Sequence, residues 1–126
     1  MRKNLILETY ALVVCAISII ACSIALGMAL HNILSINAPD FTLRPQVYRQ
    51  HLSNDAFQRS LSEVTRERIQ DYSERQVTTM REEMYAMELQ AEQRNGLQGL
   101  IRNFITLLVM ASLFALHWQI AKRVRN

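Results

Sequence analysis

Two long stretches of the chain carry no formal charge, and they limit its folding options more than any other feature. No Asp, Glu, Lys or Arg occurs between Glu8 and Asp40, and none occurs from Asn103 to Ala121. Crossing a bilayer's hydrocarbon, about 30 Å thick, takes about 20 largely apolar residues, because every backbone polar group has to be satisfied within the helix. Residues 9–36 exceed that length and are expected to tilt or project from the bilayer. Residues 103–121 lie near the lower limit, with Trp118 where indole rings commonly meet the membrane boundary. The averaged composition, 50% hydrophobic and 20% charged, conceals this division into two materials.

A soluble bundle would have to cover both stretches on every side with amphipathic helices, and too little chain remains for that. The beginning, Met1-Arg2-Lys3-Asn4 before an apolar run, has the outline of a signal peptide, and Ile19-Ile20-Ala21-Cys22 has the outline of a lipoprotein cleavage box. The apolar run nevertheless continues through Ser23-Ile24-Ala25-Leu26-Gly27-Met28-Ala29-Leu30, where a mature lipoprotein turns polar. The expected class is therefore an all-α membrane protein. It is read as a two-span antiparallel transmembrane hairpin with a long, coiled-coil-like amphipathic helix outside the membrane between the spans.

Charge density orients the hairpin. Residues 1–8 hold Arg2 and Lys3, and residues 122–126 hold Lys122, Arg123 and Arg125, so both tails are expected on the cytoplasmic side. Residues 37–102, with nine arginines against ten acidic residues, are expected on the outer or periplasmic side. The net charge of +3 gives no reason to expect a nucleic-acid partner. The excess sits in tails for which anionic headgroups are the nearer counterion.

Between the spans, Pro39 ends the first helix, and Pro45 suits a first helical position, so a short helix is expected at 46–52 within a linker of residues 37–54. Asp55 with Gln58 matches a capping box. Residues 55–95 contain neither Pro nor Gly after that cap and are rich in strong helix formers, which predicts one long helix. Its apolar stripe comprises Leu61, Val64, Ile69, Tyr72, Val77, Met80, Met84 and Met87. The mean step along it, continued to Ala91, is about 3.75 residues, which makes the stripe drift around the helix. Gly96 and Gly99 in residues 96–102 suggest a helix cap or a joint before the second span.

Helices in lipid associate through close backbone approach at small residues. Ser18, Ala21, Cys22, Ala25, Gly27 and Ala29 supply small faces on two sides of the first span, whereas its own chain offers one partner span. Together with the apolar stripe, this points to a homo-oligomer of structural or pore-like type. The alternative is an accessory or adaptor subunit docking on another membrane protein through the extramembrane helix. His31, Asn32 and His117 are the polar groups available to a pore or an interface.

Cys15 and Cys22 lie within the first span and are read as packing residues. The three histidines are too widely separated to share a metal, and the methionines lack Cys or His companions. No phosphate loop, nucleophile arrangement or zinc spacing occurs, so neither catalysis nor a cofactor is expected.

Overall fold

The computed structural model describes residues 2–125, with side-chain surroundings for residues 5–124. The side chains of Arg2, Lys3 and Arg125, part of the expected tail charge, lie outside the described residues. Six helices, α1 (Arg2–Asn37), α2 (Pro39–Thr42), α3 (Pro45–Gln50), α4 (Asn54–Ser60), α5 (Glu63–Arg68) and α6 (Glu74–Arg125), make up the regular structure, and no strand occurs among the described residues. The chain divides into two compact units. One combines Met1–Ile33 with Leu97–Asn126, and the other comprises Leu34–Gly96.

In the first unit, α1 and the later part of α6 form an antiparallel pair. The rings of Tyr10 and His117 are 5.8 Å apart, the Cys15 thiol lies 3.8 Å from the Phe114 carbonyl, and Asn32 covers Gly99. Partner numbers thus fall along α6 as they rise along α1. Both helices are long and apolar enough to cross a membrane. Within the chain, 22% of the most apolar window of the first and 11% of that of the second are buried.

The second unit is built from short helices. Residue 38 leaves the helical region at φ −138° and ψ 66°, and Pro39 restarts the chain as the first residue of α2. Arg44 is extended, as the residue before a proline prefers, and Pro45 opens α3. That helix ends at Gln50, two residues short of the expected 52.

The single helix expected over residues 55–95 does not form. Ser53, not Asp55, caps α4, accepting a hydrogen bond from the Ala56 amide at 3.2 Å. Leu61 is extended, and Ser62 caps α5 by accepting from the Thr65 amide at 3.4 Å. Ser73 and Gln76 then form the capping box that begins α6: the Ser73 amide donates to Gln76 Oε1 at 2.8 Å, and the Gln76 amide donates to Ser73 Oγ at 3.4 Å. Lack of Pro and Gly permits a continuous helix without compelling one, because serine side chains offer the backbone competing local bonds. The Arg66 guanidinium reinforces one break, donating to the carbonyls of Gln58, Arg59 and Leu61 at 3.2, 3.1 and 3.4 Å.

Breaking the helix changes which apolar residues can meet. Leu43, Phe57, Ile69 and Val77 are buried, with Phe57 and Val77 each 1% exposed. A straight helix would have carried Phe57, Ile69 and Val77 around its circumference. At the other end, α6 runs without interruption through Gly96 and Gly99. No glycine has positive φ, so the left-handed cap considered at Gly96 is absent.

Phe57→Ala is expected to destabilise the second unit by about 3–5 kcal/mol, and Ser73→Ala by about 1 kcal/mol. Denaturant titrations followed by circular dichroism check both. Equal midpoints for the two variants would contradict the core assigned to Phe57.

Candidate functional site

The antiparallel pair meets along a seam of small and polar side chains. Ala11, Cys15, Ser18 and Ala25 are buried on α1, with Cys22, Ala29 and Asn32 half-buried between and after them. Their spacing alternates four and three residues, the heptad period of a left-handed coiled-coil seam. Opposite them on α6, Gly99, Asn103, His117 and Ala121 are buried, with Thr106, Met110 and Phe114 half-buried. A Cβ placed on Gly99 would lie 2.6 Å from Asn32 Nδ2 and 2.7 Å from Oδ1, so glycine is what lets the amide settle over the α6 backbone.

Several polar groups along these helices are satisfied by their own turns. The hydroxyls of Ser18 and Ser23 donate to the carbonyls of Val14 and Ile19 at 2.8 and 2.9 Å. Those of Thr106 and Ser112 donate to Arg102 and Leu108 at 3.0 and 2.8 Å. His117 Nδ1 lies 2.8 Å from the Leu113 carbonyl. That oxygen can only accept, so Nδ1 carries a hydrogen and donates it. Asn103 makes no such bond: it is 3% exposed and its Nδ2 finds no acceptor among the described residues.

The residues singled out for helix packing separate into two groups. Ser18 and Ala25 are buried and Ala21, Cys22 and Ala29 half-buried, while Gly27 is exposed with nothing within 4 Å of a Cβ built there. Of the pore or interface group, Asn32 and His117 contact the partner helix of their own chain and His31 is exposed. On the expected stripe, Ile69 and Val77 are buried and Leu61, Met80 and Met84 half-buried. Val64, Tyr72 and Met87 are exposed.

The second unit has a polar and aromatic cluster that the periodicity did not announce. The His51 ring is 5.6 Å from that of Phe57 and 5.3 Å from that of Tyr85. Asn54 Nδ2 donates to Thr78 Oγ1 at 2.9 Å, tying α4 to the start of α6. Burial, then the negative charge of Asp40, then Tyr48 raise the Tyr85 phenol above its ordinary pKa. Three arginines, Arg44, Arg49 and Arg59, line an open concavity of about 770 Å³. Among the described residues no three His, Cys, Asp or Glu side chains gather in a way that could hold a metal ion.

Comparison with protein-family models, curated proteins and solved structures found no match.

Ala25→Leu is expected to cost the pair about 1–3 kcal/mol by overpacking the seam. Gly27→Ala, in open space within its own chain, is expected to gain about 0.5–1 kcal/mol when the dissociated chain is measured. Unfolding titrations in mixed micelles rank the two; the opposite order would reject this seam. For Tyr85, the raised pKa means that folding favours the protonated phenol. Its contribution to stability is fully present below the unfolded pKa and is lost as pH rises through the folded one. Absorbance titration at alkaline pH is expected to show one late-ionising tyrosine, absent in Tyr85→Phe and shifted to lower pH in Asp40→Asn.

Proposed function

We propose that the chain is a membrane-resident, non-catalytic assembly unit, with α1 and the later part of α6 as its two spans, that functions as a homo-oligomer of structural or pore-like type. The observation that carries this reading is the outward face of α1. A hairpin satisfies one seam, yet Ser23 and Gly27 present a second small face with open space above Gly27. In lipid, where apolar side chains gain little by leaving the tails, such a face is where a neighbouring helix approaches closely. Membrane placement is supported by the length and exposure of the two apolar helices and by their self-bonded hydroxyls. In this reading the tails lie on the cytoplasmic side and residues 37–102 outside, as the charge density favours.

A pore would have to form between copies. Within one chain the seam is filled by Ser18, Asn103, His117 and their neighbours, which leaves His31 as the outward polar group of the set. An accessory subunit is the second reading, favoured by Val64 and Met87 in the second unit, which are 62% and 65% exposed and offer a partner protein an apolar surface.

The two readings separate on one residue. Gly27→Leu, at a position where an added Cβ meets nothing of its own chain within 4 Å, is expected to convert the purified oligomer to monomer in mild detergent, as measured by light scattering. An unchanged oligomer would reject the Gly27 face, and a wild-type monomer would favour the accessory reading.

A further inference from the structure

The concavity beside α3 and α4 joins chemistry that the proposed function leaves unused. Arg44 precedes Pro45 at the start of α3, Arg49 stands in the last turn of that helix, and Arg59 stands in the last turn of α4. Arg59 is held in part by its own backbone, Nε donating to the Asp55 carbonyl at 3.2 Å. No carboxylate lines the hollow, which is completed by Pro45, Ala56 and neutral amides. The one ion pair among the described residues is Arg81 with Glu82 at 4.0 Å, so none of the three guanidiniums has an acidic partner. Three like charges around one hollow repel each other until an anion enters, and the planar guanidinium fork matches phosphate oxygens in pairs.

The surroundings indicate where that phosphate comes from. Arg44 follows Asn37, the last residue of α1, by seven positions. Phe41 between them is 78% exposed, and Tyr48 and Leu52 beyond are 46% and 60% exposed. Exposed aromatic and aliphatic side chains interleaved with arginines next to an apolar helix are the composition of a segment that rests among headgroups. A small soluble anion has no use for those apolar neighbours; a phospholipid does.

We propose that Arg44, Arg49 and Arg59 form a site for a phosphate group, that of an anionic phospholipid headgroup at the membrane surface. The site rests on the membrane placement proposed above and would fix the second unit against the headgroup layer.

The test uses the full chain in a non-ionic detergent, with fluorescently labelled phosphatidylglycerol as the probe. Unlabelled phosphatidylglycerol, phosphatidylcholine and inorganic phosphate are the competitors. Phosphatidylglycerol is expected to displace the probe at about tenfold lower concentration than either of the others, and Arg44→Gln with Arg49→Gln to weaken probe binding about tenfold or more. Arg75→Gln with Arg81→Gln is expected to bind as wild type. Arg44→Lys with Arg49→Lys keeps the charges and is expected to bind between the two, which separates loss of the site from loss of the fold. Equal competition by phosphatidylcholine, or wild-type binding by the glutamine pair, would overturn the site. Inorganic phosphate competing as well as phosphatidylglycerol would overturn the lipid source. A chain that remains dispersed after detergent removal would overturn the membrane placement itself, whereas one that needs detergent but shows no headgroup preference would overturn the site alone.

Discussion

A polar group surrounded by apolar material has to find its hydrogen bond close at hand, and the first unit is organised around that requirement. The hydroxyls of Ser18, Ser23, Thr106 and Ser112 turn back onto carbonyls of their own helices, and the His117 ring does the same through Nδ1. Such back-bonding is neutral to slightly costly for a helix in water, where the hydroxyl could bond solvent instead. Among exposed aliphatic side chains it removes the penalty of an unmade bond, of several kcal/mol in hydrocarbon. The same local satisfaction removes the hydroxyls of Ser23 and Ser112, both exposed, from the free donors on the outward faces. They can meet lipid tails or another helix equally well, as the proposed membrane assembly requires.

Once polar groups are satisfied locally, shape decides how the helices meet. Ala11, Cys15, Ser18 and Ala25 keep one face of α1 low, and Gly99 opens the α6 backbone to Asn32. Dispersion contacts depend steeply on distance, so this close approach supplies the attraction that burial of large side chains supplies in water. The second unit follows the aqueous rule instead, gathering Leu43, Phe57, Ile69 and Val77 inward and leaving its charges outside. The two units thus pack by different rules, and the division between them falls between Ile33 and Leu34 on α1 and between Gly96 and Leu97 on α6.

The two apolar helices were legible because a run of uncharged residues has few alternatives once it exceeds a membrane's thickness. Small size alone does not choose between the face of Ser18 and Ala25, which is buried, and that of Ser23 and Gly27, which is exposed. Both satisfy small-residue spacing, and only the partner helix distinguishes them. The broken middle departs from its helix propensity for a physical reason. Helix propensity summed from Ala56 to Asn95 is high, yet Ser53, Ser62 and Ser73 each start a new helix. The Ser73 and Gln76 pair was a readable capping box that a search for Pro and Gly passes over. Grouping of Arg44, Arg49 and Arg59 could not be read at all, since it depends on the turn between α3 and α4.

The hairpin stands or falls on the register of α1 against α6, and crosslinking in membranes measures that register directly. With Cys22→Ser removing the second thiol, the native Cys15 is paired with a cysteine replacing Phe114, whose carbonyl lies 3.8 Å from its sulfur, or replacing Ser112, which is exposed. Mild oxidation of carbonate-washed membranes is predicted to close an intramolecular disulfide with Phe114→Cys and not with Ser112→Cys. Equal closure of the two, or disulfides between chains alone with Phe114→Cys, would contradict the hairpin.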